Sequence, residues 1–198
     1  MSADAGTDHE KREGRFDAYR VLYALAHIGY TPVSAIFDIV DNAVAAKAKH
    51  VDIGFELESG MAENRRNNVH RYIIADDGIG MDRGGLENAL QLGSSEPNDD
   101  ESLSKFGMGL KSAALSQGKR LIVLSKTQES ELDKVVLDLD EVRETGAYML
   151  MFGGIDAEDR ELWERHAGDT PSGTVIAIDK VHKINHPSAK NTRSPMTS

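Results

Sequence analysis

Two spacings of hydrophobic residues run through this chain, one typical of helices and the other of strands. Apolar residues recur every three to four positions in some segments, and in others they alternate with polar residues or form short continuous runs. The helical spacing predicts helices over residues 15–28, 32–47, 83–92, 107–118 and 156–168, the last of them a surface helix. The strand-like spacing predicts strands over residues 50–57, 69–76, 120–126, 134–140 and 173–181.

The order of these elements favours one fold class. Two helices precede a pair of strands, a helix and a polar loop follow, and a further helix leads into the remaining strands. Strands clustered among helices in this way are typical of a two-layer α/β sandwich rather than of strictly alternating βαβ units. Segments 120–126 and 134–140 follow each other closely, so we expect them to form an antiparallel pair.

Length and composition fit one globular domain with short extensions. The chain has 198 residues, enough for a single substantial core. We predict a disordered leader over 1–14, a domain over 15–182 and a flexible tail over 183–198, with a mobile loop near 93–106. There is no apolar run of about 20 residues, no signal-peptide core and no cysteine, so we expect a cytoplasmic protein without a membrane span.

The formal net charge of -10 limits the ligands that this surface attracts. Such an acidic chain does not favour non-specific binding to duplex DNA, which depends on neutralising phosphates. A phosphate-bearing ligand would need local help from backbone amides or from a metal ion.

The predicted helix over 32–47 contains polar residues inside its apolar run, in "AIFDIVDNAVAAKA". Asp38 and Asn42 are four residues apart and share a face, with Asp41 beside them. A carboxylate and an amide oxygen on one face suit Mg²⁺, and a carboxylate can also orient an attacking water. The alternative is a solvated helix edge with a capping role.

A strand that ends in "DDGIGM" forms the second candidate stretch. Gly78 and Gly80 would let the backbone approach a ligand closely, because glycine has no side chain and tolerates unusual dihedral angles. The Asp76 carboxylate, at the end of the strand, could accept a hydrogen bond from an amino group such as that of adenine. The alternative is an ordinary turn signal.

The third candidate stretch is "KFGMGLKS", where glycines open a helix. Free N–H groups and the positive end of the helix dipole make such a terminus an anion site, to which Lys111 or Ser112 could add a charge or a donor. The spacing fits neither a Walker A loop nor a Rossmann turn. The polar loop before it is typical of a lid that closes over phosphates.

In this order the three stretches resemble the motifs of the GHKL ATPases, the superfamily of gyrase B, the heat-shock chaperone, histidine kinases and MutL, with the MORC proteins as relatives. The asparagine box resembles "FDIVDNAVAAKA", the Asp-x-Gly-x-Gly box "DDGIGM" and the glycine-rich box "FGMGLKSA". A Gly-Thr pair that opens a late strand is matched in "SGTVIAI". The segment "GSSE…SLSKFGMGLKSAAL" is most similar to the MORC and MutL branch.

The resemblance implies the Bergerat ATP-binding fold, with a mixed, largely antiparallel sheet covered by helices on one face. It also implies ATP and Mg²⁺ as cofactors, with Asn42 as the metal ligand and Asp38 as the catalytic residue that positions water. Asp76 and Thr174 would hold adenine, and the amides at 107–110 would bind phosphate. The ATP-binding set that it implies is Asn42, Ala46, Asp76, Gly78, Gly80, Met81, Ser94, Ser95, Phe106, Gly107, Met108, Gly109, Leu110, Lys111, Ser112 and Thr174.

The expected function is Mg²⁺-dependent ATP binding with slow hydrolysis, in which closure of the lid at 93–106 controls a homodimer or a partner. Members that hydrolyse ATP carry a glutamate where this chain has Asp38, so a non-hydrolysing regulatory module is an alternative. A phosphotransferase of the histidine-kinase type is a further alternative, although His27 fits a packing or surface role. A protein partner or additional domain is expected, and a link to DNA follows only from analogy with relatives.

Overall fold

The computed structural model describes residues 12, 16–27, 29–58, 69–93 and 108–182. The predicted leader apart from Arg12, the predicted loop after Gly93 and the predicted tail lie outside these residues, so the domain boundaries stay predictions. The helices are α1 Ala18–Ala26, α2 Pro32–Ala45, α3 Arg83–Leu90, α4 Gly109–Gln117, α5 Leu139–Thr145 and α6 Ala157–His166. The strands are β1 Val51–Leu57, β2 Val69–Asp76, β3 Gly118–Lys126, β4 Asp133–Asp138, β5 Met151–Phe152 and β6 Gly173–Val181.

The strands form one sheet in the order β1-β2-β6-β3-β4-β5, and every pairing between the described strands is antiparallel. The predicted α/β sandwich and the β3–β4 pair are confirmed. The sheet differs from the expected mixed sheet, since no parallel pair occurs among the described strands. The reason is topological: β1–β2 and β3–β4 are successive antiparallel pairs, and β6 lies between them and runs opposite to both of its neighbours.

Both faces of the sheet are packed. The main core lies between the sheet and helices α1 to α5, and its strand residues include Ile74, Val123 and Ile176. On the other face, Leu162 and Trp163 of α6 pack over a second cluster of strand residues. The helices therefore cover more than the one face that was expected, because neighbouring positions on the central strands are apolar on both sides of the sheet.

Short polar side chains begin most of the helices. Thr31 caps α2 in a reciprocal pair with Ser34, and Pro32 is the first helical residue, as the sequence predicted. Aspartate side chains cap α1, α3, α5 and α6. Among the described helices, α4 alone starts without a side-chain cap, at Met108. No described helix has both the length and the apolar character that a membrane crossing requires.

The predicted strand over 134–140 is shorter than expected. It ends at Asp138, whose carboxylate accepts a hydrogen bond from the N–H of Asp140 and so begins α5. After α5 the chain adds the short strand β5 at the sheet edge, which the sequence analysis did not predict.

Candidate functional site

Three polar residues form a row across the central strands at one end of the sheet. Asp76 at the end of β2 lies directly opposite Thr174 on β6, and Thr174 lies directly opposite Ser125 on β3. Strand side chains alternate between the two faces, and the residues two positions away from these three belong to the main core. The row therefore points toward the helix side of the sheet, where α2 and α4 pack.

The Asp76 carboxylate is buried, and only one of its two oxygens accepts a hydrogen bond from a described residue. It is 9% exposed, and its Oδ1 accepts a hydrogen bond from the N–H of Gly78 at 2.8 Å. Burial raises the pKa of the Asp76 carboxyl, and the hydrogen bond from Gly78 opposes that rise. Oδ2 has no hydrogen-bond partner among the described residues, so an acceptor remains for a donor on a ligand.

The glycines after Asp76 fit a turn that is held from several sides. Gly80 has a φ of +67°, and a Cβ there would lie 1.8 Å from the carbonyl oxygen of Lys126. The Gly78 carbonyl accepts a hydrogen bond from Ser172 Oγ at 2.8 Å, and Ile79 N–H donates to the carbonyl of Ala46 at 3.0 Å. The turn is thereby fixed against both the end of α2 and the start of β6.

The two aspartates of the "DDG" sequence have different roles, and Asp77 is the one that acts as an ordinary structural residue. Its carboxylate accepts hydrogen bonds from the backbone N–H groups of His50 at 2.9 Å and Lys49 at 2.6 Å, and from the His50 ring at 2.7 Å. These bonds, led by the His50 N–H, lower the pKa of the Asp77 carboxyl to about 2. Asp77 therefore fastens the loop before β1, whereas one oxygen of Asp76 has no partner among the described residues.

The candidate residues Asp38 and Ala46 lie at the middle and at the C-terminal end of α2. Asp38 is half-buried, and one of its oxygens accepts a hydrogen bond from Tyr30 Oη at 2.5 Å. That hydrogen bond is the main reason why the pKa of the Tyr30 hydroxyl is raised, so Tyr30 stays a donor near neutral pH. Ala46, two turns further along the chain, contacts the glycine turn, about 12 Å along the helix axis from Asp38.

Asn42 is exposed and is oriented by its own helix. Its Nδ2 donates a hydrogen bond to the carbonyl of Asp38 at 3.0 Å, which leaves the amide oxygen Oδ1 as the available atom. An amide oxygen is a suitable ligand for Mg²⁺. No group of three histidine, cysteine or acidic residues in the described part of the chain could hold a metal ion by itself. Asn42 could therefore supply one oxygen ligand to a cation whose remaining ligands are nucleotide oxygens and water molecules. Asp41 is exposed to solvent.

The start of α4 presents backbone donors that no described side chain caps. The first N–H groups of any helix have no partner within the helix. Ser112 donates its hydroxyl to the carbonyls of Met108 at 2.8 Å and Gly109 at 3.1 Å, so it does not cap those N–H groups either. Leu110 packs against the main core and anchors this first turn.

Lys111 differs from the expected phosphate contact. Its side chain is fully buried, and Nζ donates hydrogen bonds to the carbonyls of Ala89 at 2.9 Å and Gln91 at 3.1 Å, at the end of α3. Burial lowers the pKa of the Lys111 ammonium to about 8. In this structure Lys111 joins α4 to α3, because a buried cation needs acceptors and the last carbonyls of α3 supply them.

A cavity of about 850 Å³ adjoins the start of α4. Its lining includes Tyr30, Asp38, Met108, Gly109 and Ser112, together with apolar residues of α1. The structure therefore brings the candidate catalytic residue and the candidate anion site together. The candidate adenine residues form a second group near the C-terminal end of α2 and are not part of this lining.

Some expected contacts lie outside the described residues. These are Ser94, Ser95, Phe106 and Gly107, which stay predictions. Conversely, two residues that the sequence analysis did not select now belong to the site, namely Ser125 and Tyr30. Neither stands in a motif, and each is recognised only through its hydrogen bonds to a selected residue.

Comparison with known proteins agrees with this geometry. The family model described as histidine kinase-, DNA gyrase B- and HSP90-like ATPase matches residues 30–163. ATPase morc-1 of Caenorhabditis elegans is 32% identical over 121 residues, which cover 61% of this chain and 13% of that protein. Human ATPase MORC2 is 32% identical over 100 residues, which cover 48% of this chain and 9% of that protein. Protein MICRORCHIDIA 7 of Arabidopsis thaliana is 26% identical over 170 residues, which cover 79% and 23%.

This chain thus spans less than a quarter of the length of these relatives. The matched range runs from Tyr30 to Trp163 and takes in α2, the glycine turn and α4. The family match supports ATP binding. The chain belongs to the family of histidine kinase-, DNA gyrase B- and HSP90-like ATPases, the GHKL ATPases, and within it is similar to the MORC proteins.

Proposed function

We propose that this domain binds Mg²⁺·ATP along α2 and hydrolyses it slowly. The observation that supports the proposal most strongly is the pairing of Asp76 and Thr174 at the end of the sheet. It presents a buried carboxylate oxygen that has no partner in the described part of the chain. Adenine would contact these two residues, and the phosphates would lie toward the uncapped start of α4. Such an arrangement separates the base from the reacting phosphate by roughly the distance between Ala46 and Asp38.

Asn42 would hold the metal ion through its amide oxygen, since its nitrogen is engaged by the Asp38 carbonyl. Mg²⁺ in this position would neutralise charge on the phosphate oxygens. The chain's own contribution is to fix the amide oxygen on a rigid helix, whose cap at Thr31 is fully formed.

Asp38 would accept the hydrogen bond of the attacking water and orient it. One of its oxygens is engaged by Tyr30, which leaves the other oxygen for water. Aspartate is one methylene shorter than glutamate, so its carboxylate extends less far toward the phosphates. This shorter reach accounts for slow turnover.

The shorter side chain of Asp38 also favours a second candidate function, a regulatory module that binds ATP without hydrolysing it. Asp38→Asn separates the two functions, because it removes the base and keeps the shape. Under the first function, phosphate release is lost while ATP affinity, measured by calorimetry, is retained. Absence of phosphate release from the parent protein, with ATP bound, would favour the second.

A phosphotransferase of the histidine-kinase type gains no support from His27. This side chain is exposed, stacks on Tyr23 and donates its ring N–H to the Tyr23 carbonyl at 2.7 Å. These contacts fit the surface role that the sequence predicted.

The wider parts of the proposal rest on the family resemblance. They are closure of the segment 93–106 over the phosphates, an ATP-dependent homodimer and a protein partner or additional domain. Light scattering after chromatography, with and without a non-hydrolysable ATP analogue, tests the dimer: a doubled mass with the analogue supports it, and an unchanged mass contradicts it. The acidic charge gives no support to direct DNA binding. A cytoplasmic location stays a prediction.

A further inference from the structure

The hydroxyl group of Ser125 has a fixed direction. It donates to the carbonyl of Gly173 at 2.7 Å and accepts from the N–H of Met81 at 2.8 Å. Its third contact is with Thr174 Oγ1 at 3.0 Å. A carbonyl can only accept and a backbone N–H can only donate, so the single proton of Ser125 is directed at Gly173. The hydrogen bond between the two hydroxyls must therefore be donated by Thr174.

This assignment fixes how Thr174 faces the site. Its only hydroxyl proton is used on Ser125, so Oγ1 has lone pairs alone to offer to a ligand or a water. Directly opposite, Asp76 offers Oδ2, which also has no partner among the described residues. The end of the sheet consequently presents two neighbouring hydrogen-bond acceptors.

Two adjacent acceptors match a ligand edge that carries hydrogen-bond donors. The exocyclic amino group of a 6-aminopurine supplies two such donors. A 6-oxopurine places a carbonyl oxygen at the same position, where it would meet acceptors and lose its own hydrogen bonds. The arrangement of acceptors thus favours one class of base over the other.

We propose that Ser125 determines base specificity by holding the Thr174 hydroxyl as an acceptor toward the nucleotide, so that the site selects a 6-aminopurine over a 6-oxopurine. The inference rests on the proposed nucleotide-binding function of this site. Ser125 is fully buried and does not itself reach a ligand, so it acts through Thr174 as a positioning residue. The Ser125 hydroxyl already has three hydrogen-bond partners. The folded chain therefore fixes the Thr174 hydroxyl as the donor in their shared hydrogen bond, before any ligand binds.

The test compares ATP with ITP, which differ at the purine C6 position and the neighbouring ring nitrogen. Calorimetry with Mg²⁺ gives both dissociation constants for the parent, Ser125→Ala and Ser125→Thr. We expect the parent to prefer ATP by about tenfold or more. In Ser125→Ala, the Thr174 proton loses its acceptor and can turn toward a carbonyl, so the preference falls by roughly fivefold or more. Ser125→Thr keeps the hydroxyl and retains the parental preference.

Ser116→Ala provides the matched control. Ser116 lies on α4, and its hydroxyl bonds to the carbonyl of Ala113 and to the side chain of Gln117, away from the row. We expect both of its dissociation constants to equal those of the parent. If Ser125→Ala weakens ATP and ITP by the same factor, Ser125 has a purely structural role and the inference is overturned.

A second pair of variants keeps the test decisive if Ser125→Ala does not fold. Thr174→Val removes the acceptor with little change of shape and should lose most of the preference for ATP, whereas Thr174→Ser should keep it. An unchanged ATP preference in Thr174→Val would overturn the inference and leave the proposed function standing. Absence of ATP binding by the parent would instead overturn the proposed function itself.

Discussion

Asp76 and Thr174 lie directly opposite each other on the adjacent antiparallel strands β2 and β6. Almost a hundred residues separate them in sequence, and the sheet brings their side chains together on the face where α2 and α4 pack. Gly173 permits this close pairing, because a Cβ there would lie 2.2 Å from the Asp76 carbonyl oxygen. The pairing of the two strands therefore requires glycine at position 173, independently of any ligand.

Removal of the Tyr30 hydroxyl should slow ATP hydrolysis without changing ATP affinity. Tyr30→Phe keeps the ring packed against the core and leaves Asp38 without its donor, so that its carboxylate becomes free to rotate. We expect kcat to fall by about tenfold, equivalent to roughly 1.4 kcal/mol, with an unchanged dissociation constant for ATP. Steady-state phosphate release and calorimetry provide the two measurements.

Tyr23→Phe is the control for this change, because the Tyr23 hydroxyl forms no hydrogen bond with another described residue and its side chain is half exposed. A kcat of Tyr30→Phe equal to or above that of the parent would show that the hydroxyl does not orient Asp38.

Two glycine substitutions should have opposite effects on stability. Gly80→Ala would place a Cβ 1.8 Å from the Lys126 carbonyl at a φ of +67°, so we expect the free energy of unfolding to fall by about 2 kcal/mol or more. Gly84 lies inside α3, and the nearest atom to a Cβ there is 3.6 Å away. Gly84→Ala should therefore raise stability by about 0.5–1 kcal/mol.

Urea denaturation of both variants and the parent measures these changes. Equal stability of Gly80→Ala and the parent would mean that the turn after Asp76 is not held against β3 as the structure shows.

The buried ammonium of Lys111 should make stability depend on pH in the alkaline range. Its pKa is lowered to about 8 in the folded chain from 10.5, so between these values the unfolded chain binds more protons. The free energy of unfolding then rises with pH, by at most about 3 kcal/mol from this group. Below pH 8 both states hold the proton, and the cost of burying the charge is present in full.

Lys111→Met removes the charge and should remove this rise. We expect the stability of the variant relative to the parent to be greatest near pH 7 and to decline toward pH 10, as followed by urea denaturation at each pH. Lys49→Met, at an exposed lysine, controls for the loss of one positive charge. A parallel pH dependence in the parent and Lys111→Met would contradict the described burial.

The spacing of apolar residues and the capping residues predicted most helices and strands of this fold. The predictions failed where tertiary contacts decide the structure. Thr31 and Pro32 marked the start of α2 correctly, because capping depends on neighbours in sequence. The alternation of valine, leucine and aspartate after residue 134 favoured a strand as far as 140. Asp138 ends that strand by capping α5, and the sequence does not distinguish a strand aspartate from a capping one.

The candidate site residues that stand in motifs could be selected from the sequence, whereas those defined only by tertiary contacts could not. Asp76, Thr174 and Asn42 stand in recognisable motifs. Ser125 is an ordinary serine at the end of an apolar strand, and only the β3–β6 register places it beside Thr174. The direction of Lys111 likewise depends on how α4 packs against α3, which the spacing of residues in α4 does not determine.

Calorimetric titration of ATP, with and without Mg²⁺, tests the central claim most directly. The account predicts one ATP site whose affinity falls several-fold without Mg²⁺ and about tenfold or more in Asp76→Asn, because the amide replaces an acceptor by a donor. Asp82→Asn, at the exposed cap of α3 where asparagine is an equally good cap, should bind ATP as the parent does. Full ATP affinity in Asp76→Asn, or affinity that does not depend on Mg²⁺, would contradict the account.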